Sequence, residues 1–309
     1  MTHPQSETKL NRGGRARKHQ TTKFSKISVQ YGLDHIGWGP GLDSGCPDVT
    51  RSGRAGFGRI TVAPVLPPPL PRQVQTLQRV LDRVSVAAED GGPPPLVVFG
   101  LDGSIFDNRR RTLQVLLEYA EEVEVDEPDV SDALRTLTLD GVQYLLGETL
   151  RECGLHGAEL TRDVTSFWRE RFFTDDYAML DEPQAGAVDY LRGLQEAGAG
   201  LIYLSGRDVP GMLLGTVASL REHGLPLAEP GVQLVLKPDA TLGDESFKRT
   251  AFPRLAGYGE VVAVFDANPS MCDLARRIFP DADVAFVDLW ELDPPPDESI
   301  ELIRDLRLR

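Results

Sequence analysis

Four places in this sequence set acids, hydroxyls or lysines directly behind a short apolar run. Leu96 to Asn108 reads LVVFGLDGSIFDN, where four apolar residues lead to Asp102, Ser104 and Asp107. GLIYL at 200–204 leads to Ser205, Gly206, Arg207 and Asp208; VQLVL at 232–236 to Lys237 and, further on, Lys248; VVAVF at 261–265 to Asp266. One such stretch is ordinary, because polar residues commonly open the loop after a buried strand. Together, an acid, a hydroxyl, a lysine and an acid converging on one edge form a phosphate and metal site: hydroxyl and ammonium hold phosphoryl oxygens, while carboxylates hold Mg²⁺. One position is out of keeping. The first residue past the opening apolar run, where a strand ending of this kind usually delivers a carboxylate, is Gly100.

The elements that must bring these residues together are legible in the hydrophobic pattern. LVVF (96–99), GLIYL (200–204), VQLVL (232–236), VVAVF (261–265) and VAFVD (284–288) read as strands, and helical stretches at 184–198, 211–224, 244–252 and 270–279 separate the later ones. Continuous apolar strands alternating with helices predict a parallel sheet covered on both faces, a doubly wound α/β fold whose ligands sit at the carboxyl ends of the strands. Between the first strand and the second lie roughly one hundred residues, about three times a βαβ crossover. They read almost wholly helical and carry the cluster Phe167, Trp168, Phe172, Phe173 and Tyr177, which gives the insert material for a small core of its own. An insertion after the first strand falls over that strand's carboxyl end, as a lid. The chain thus divides into an extension with neither period (1–72), an amphipathic helix (73–90) on Val74, Leu77, Leu81, Val84 and Ala88, a core split as 95–108 and 183–309, and a helical insert (109–182).

Composition narrows the classes. The formal charge of −14 argues against nonspecific nucleic-acid binding by the core. Residues 1–26 hold seven Lys or Arg against Glu7 alone, so the remainder carries 26 basic and 46 acidic residues: a basic tail on an acidic body. Cys46, Cys153 and Cys272 are widely spaced, without C-x-x-C, so neither a zinc site nor a disulfide framework is indicated, and a reduced, cytoplasmic setting is the expectation. No apolar run approaches the ~20 residues needed to span a bilayer, and the polar N-terminus lacks the apolar core of a signal peptide. The five histidines fall outside every motif.

FGLDGSIFD resembles motif I of the haloacid dehalogenase superfamily, an apolar strand followed by D-x-D-G-[TS]-h-x-D with h apolar. LIYLS is similar to motif II, Lys248 or Lys237 to motif III and VVAVFD to motif IV, in the family's order, over about residues 95–290. The resemblance implies a Rossmann-like doubly wound parallel sheet core with an inserted α-helical cap, and hydrolysis of a small phosphorylated molecule with Mg²⁺. It makes Asp102 the general acid and base, Ser205 and Gly206 part of the phosphate cradle, and Asp266 the metal ligand together with the backbone carbonyl of residue 102. Lys248 is the preferred motif III lysine, because it falls in the first turn of a helix after DES; Lys237, directly behind its strand, is the other candidate.

The sequence leaves the pattern in two places. Gly100 occupies the nucleophile position and offers no side chain to form an aspartyl-phosphate. Behind Asp266 stand Ala267 and, four residues on, Ser270, where a second metal acid is frequent. Shifting the motif so that Asp102 becomes the nucleophile displaces Gly103, Ser104 and Asp107 and leaves the hydroxyl of Ser104 as acid and base, for which it is poor. Two readings follow: a Mg²⁺-dependent phosphohydrolase, or a catalytically impaired relative that binds a phosphorylated ligand or a protein partner. Arg207 stands evenly between contacting substrate and bridging to a neighbouring acid, and Asp107 reads as a turn or helix N-terminal residue and not as a catalyst.

Overall fold

The computed structural model describes residues 66–89, 91–290, 297 and 299–309. The basic run, Cys46 and the histidines at 3, 19 and 35 lie outside these. The first element, helix α1 (Pro71–Glu89), buries Leu77, Val80 and Val84, residues spaced three and four apart on one face. Strand β1 (Leu96–Phe99) follows, all four residues buried, and then β2 (Phe106–Asp107). The insert comes next, as α2 (Arg109–Glu122), α3 (Pro128–Arg135), α4 (Leu146–Glu152), α5 (Ala158–Phe172) and α6 (Asp175–Ala178), and ends at β3 (Glu182–Pro183). The chain then alternates through α7 (Ala187–Glu196), β4 (Gly200–Asp208), α8 (Val209–Glu222), β5 (Val232–Lys237), α9 (Asp244–Leu255), β6 (Val261–Asp266), α10 (Pro269–Ile278), β7 (Asp283–Val287) and β8 (Glu301–Ile303).

These strands build a six-stranded sheet in the order β5-β4-β1-β6-β7-β8, parallel at every pairing. Its two faces bury separate clusters. Leu77, Tyr190, Leu194 and Leu220 of α1, α7 and α8 pack on one, and Phe247, Phe252, Met271 and Leu274 of α9 and α10 on the other. This is a doubly wound α/β Rossmann-like core, and β1, flanked by β4 and β6, is inside it, which is why its sequence is apolar without alternation.

Two of the strand-to-helix turns that matter for the site are capped by their own side chains. Asp208 accepts from the Gly211 amide (2.9 Å) at the start of α8, and Asn268 accepts from the Met271 amide (3.3 Å) at the start of α10, each with a proline in the first turn. Strand β4 runs through Asp208, past the Leu204 end that its apolar run predicts. An irregularity in pairing with β5 between Leu204 and Asp208 lets it carry Ser205 and Arg207 within the strand.

The insert has its own core, and the aromatic cluster is largely not in it. Leu116, Tyr119, Ala120, Leu134, Leu150 and Val164 form that core, with Phe167 at its edge. Trp168, Phe172 and Phe173 turn toward the sheet edge instead. The insert joins the core through β2 and β3, which pair antiparallel (Phe106 with Pro183, Asp107 with Glu182), so both connections pass through one two-stranded ribbon.

At the far end of the insert, Asp175 docks on core helix α8. Its side chain accepts from the Gly215 amide (2.6 Å), and a Cβ on Gly215 would lie 2.1 Å from the Asp175 carbonyl oxygen. Replacing Gly215 with alanine is therefore expected to destabilise by about 1–3 kcal/mol through overpacking, despite a helix-propensity gain of up to about 1 kcal/mol. Thermal melting checks this. An unchanged or raised melting temperature would mean that α6 moves aside without loss.

Candidate functional site

The acid, hydroxyl, lysine and acid that follow the four apolar runs do meet, in one cavity of about 550 Å³ between the sheet edge and the insert. Asp102, Ser205, Gly206, Lys248 and Asp266 line it from the core; Tyr144, Trp168, Arg169 and Phe173 line it from the insert. Lys237 does not. It pairs with Asp244 (2.7 Å) beside the cavity wall, so of the two lysines only Lys248 faces the cavity.

Gly100 sits at the end of β1 with its amide donating to the Phe265 carbonyl (2.8 Å). A Cβ built there would lie 3.0 Å from Ser104 Oγ and 3.1 Å from Asp266 Oδ2, so a side chain at position 100 would point at both. Ser104 is fully buried and its hydroxyl has no partner among the described residues. A buried hydroxyl without an acceptor is uncommon and destabilising. It lies beside the bare Cα of Gly100, where no side chain offers it an acceptor.

Asp102 is not free. Its Oδ2 and Oδ1 each accept from Arg207 at 2.9 Å (Nε and Nη2), Oδ1 also accepts from Arg111 Nη2 at 3.1 Å, and Asn108 and Ser205 make long contacts at 3.4 and 3.5 Å. Both guanidiniums also hold Asp181, which lies just before β3: Arg207 Nη2 at 2.5 Å, Arg111 Nε at 2.9 Å, with a further short bond from Arg111 Nη2. Arg111, Asp181 and Arg207 are almost wholly buried, while Asp102 keeps 32% of its side chain accessible. The remaining donors are satisfied as well. Arg111 Nη1 donates to the Phe172 carbonyl (3.2 Å) and Arg207 Nη1 to Thr216 Oγ1 (3.1 Å), while His223 Nε2 donates to the Asp181 carbonyl (3.0 Å). Burial alone would raise the Asp102 carboxyl, but the charges of Arg207 and Arg111 overcome it and hold the group well below the usual carboxylate range.

Sequence reasoning left Arg207 evenly placed between substrate and a neighbouring acid, and it bridges two acids. Arg111 and Asp181 gave no signal in isolation. Arg111 is the last of three consecutive arginines, and helical phase sends Arg109 to Asp107, Arg110 to Glu182 and Arg111 inward.

Asp266, at the end of β6, is likewise engaged on both oxygens. Oδ2 accepts from Lys248 Nζ at 2.5 Å and Oδ1 from the Asn268 amide at 2.9 Å. Gly206 brings the last acid close: a Cβ there would fall 2.2 Å from Asp244 Oδ2, so only glycine lets Asp244 approach.

These contacts test the Mg²⁺ that the resemblance implies. Each of the three carboxylates lining the cavity already has a cation: Asp102 has Arg207 and Arg111, Asp244 has Lys237, and Asp266 has Lys248. Positions 100 and 267 supply no acid, and among the described residues no group of three or more His, Cys, Asp or Glu gathers as metal ligands. Mg²⁺ needs free, hard oxygen donors in near-octahedral array. The residues present do not fit it.

No helix among the described residues is long and apolar enough to cross a membrane. No family model matches the chain, and no curated protein matches it in sequence. Among solved structures it is similar to Protein Tyrosine Kinase A of Mycobacterium tuberculosis (19% identity, 68% of this chain and 93% of that one, TM-score 0.43). It is also similar to a structure described as a phosphatase from Clostridium difficile (14%, 62% and 84%, TM-score 0.43). A third is described as a HAD-hydrolase from Bacillus subtilis bound to magnesium (15%, 69% and 95%, TM-score 0.41).

Proposed function

We propose that this chain is a haloacid-dehalogenase-type protein that binds a small phosphorylated molecule beneath its insert and does not hydrolyse it. The observation that carries this reading is the double guanidinium clamp on Asp102, on a strand end whose nucleophile position is a glycine. Phosphoryl transfer through an aspartyl-phosphate needs a carboxylate to attack and a second group that gives and takes a proton. Gly100 removes the first. Arg207 and Arg111 keep Asp102 ionised at neutral pH and occupy both of its oxygens, which removes the proton the second would deliver. The cavity itself is retained, with Ser205, Gly206 and Lys248 on its floor and a volume in the range of small-molecule sites.

Hydrolysis of an aryl phosphate, followed with and without Mg²⁺ for the unmodified chain and for Gly100→Asp, tests this. The expected rate is background in all four cases. The new aspartate would have the Ser104 hydroxyl beside it, yet would face Asp266 and an acid partner already locked in ion pairs. Mg²⁺-stimulated turnover by the unmodified chain would overturn the proposal, and turnover by Gly100→Asp would show that Asp102 can still exchange its proton.

A further inference from the structure

We infer that the cavity selects an aromatic phosphomonoester, with Arg169 of the insert receiving the phosphate and the ring lying among Trp168, Trp290 and Tyr144. This inference rests on the reading above and specifies its ligand. The charge pairing described for the acids holds in reverse for the bases. Of the four cations lining the cavity, Arg111, Arg207 and Lys248 each have a carboxylate within ion-pair distance, and Arg169 has neither an ion pair nor a hydrogen bond among the described residues. A phosphate entering the cavity meets floor cations that are already neutralised and one guanidinium, on α5, that is not. The anion is therefore drawn to the insert side, away from the cradle that the motif residues would form.

The walls define the rest of the ligand. Trp168 stacks on Phe172 (4.2 Å between centroids) and meets Phe173 edge-on (5.5 Å), and its indole N–H donates to Thr112 Oγ1 (3.2 Å), so its plane is fixed before any ligand arrives. Also in the lining, Trp290 from the segment after β7 meets Tyr144 of the insert edge-on (5.9 Å). Tyr144, Leu145 and Phe173, all lining residues, stay about half exposed instead of joining the insert's core. Oriented aromatic faces, apolar surface held at an opening and one unpaired guanidinium are what a planar ring bearing an anion requires.

Two of the chain's three tryptophans line the cavity, so intrinsic fluorescence reports occupancy, with calorimetry as a check. The probes are phenyl phosphate, glycerol phosphate, which has the anion without the ring, and phenol, which has the ring without the anion. Phenyl phosphate is expected to bind at least about tenfold more tightly than glycerol phosphate. Arg169→Gln should weaken phenyl phosphate about tenfold or more, as loss of a charge-assisted contact would, while leaving phenol binding and the melting temperature unchanged. Equal affinity for the two phosphates, or unaltered phenyl phosphate binding by Arg169→Gln, would overturn this inference and leave the phosphorylated-ligand reading standing. If neither phosphate binds at millimolar concentration, that reading falls and the inference with it.

Discussion

Arg207→Met is expected to lower the melting temperature by roughly 6 to 20 °C. The side chain is almost fully buried and holds two carboxylates at once, Asp102 through a bidentate pair and Asp181 through Nη2. Methionine fills most of the volume and supplies none of the charge. Asp181, with no exposed surface, would keep only Arg111, and Asp102 would lose its two best donors. Removing one partner from a buried ion pair destabilises by about 3–5 kcal/mol, because the charge left behind has been desolvated for nothing. For a domain of this size each kcal/mol moves the midpoint by about 2–4 °C. Calorimetry of the purified variant checks it, and a shift below about 2 °C would show that the cluster relaxes or takes up water readily. Adding Asp102→Asn to the same chain should recover part of the loss, since one of the two stranded charges is then gone.

Asp102→Asn alone should act in the opposite direction to a loss of catalytic machinery: it should tighten phosphate binding. Asp102 is the cavity-facing member of the cluster and saturates donors of both guanidiniums. It is in effect an internal anion that keeps a ligand phosphate off these two guanidiniums and leaves it to Arg169. Asparagine ends the competition, and a hydrogen bond to a charged group is worth about 1.5–3 kcal/mol, so phenyl phosphate affinity should rise by about ten- to a hundredfold. Titration of both chains settles it, with weaker binding by the variant as the adverse result. The same substitution has a signature in acid. Because the folded-state pKa of Asp102 is depressed, its stabilising contribution is present above the unfolded value near 3.9 and is lost as pH falls below that. Melting temperatures of the unmodified chain should therefore drop more steeply below about pH 4 than those of Asp102→Asn.

Much of the scaffold was legible because it depends on short-range pattern. LVVF is β1 to the residue, and the apolar runs at 232, 261 and 284 locate β5, β6 and β7 within one residue at either end. Two kinds of element escaped. Strand β8, three residues reading ELI, is too short to show a period, and β2 and β3 exist only because they pair with each other across the whole insert. The candidate site divides the same way. Ser205 and Asp266 belong to strands that hydropathy finds, Lys248 to the helix α9 behind the third of them, and all three share the cavity. What happens to Asp102 depends on Arg111, Asp181 and Arg207, whose meeting is set by where the insert returns to the core. Spacing of 70 residues between Arg111 and Asp181 carries no local signal, so the clamp could not be read without the fold. The insert's aromatics misled for a related reason: an aromatic run marks burial, and the run alone does not say whether it is burial in a core or against a cavity.

The ribbon of β2 and β3 has a consequence for how the molecule comes apart. The insert owns a core of six buried residues and by that measure could melt as a separate unit. Yet Arg111 stands four residues beyond β2 and Asp181 one before β3, and both share their charges with Asp102 and Arg207 of the sheet edge. Any partial opening that lifts the insert must break the buried pairs on both sides of the ribbon together. Loss of the insert and loss of the sheet edge are thereby coupled, and the two lobes are expected to melt together in one transition.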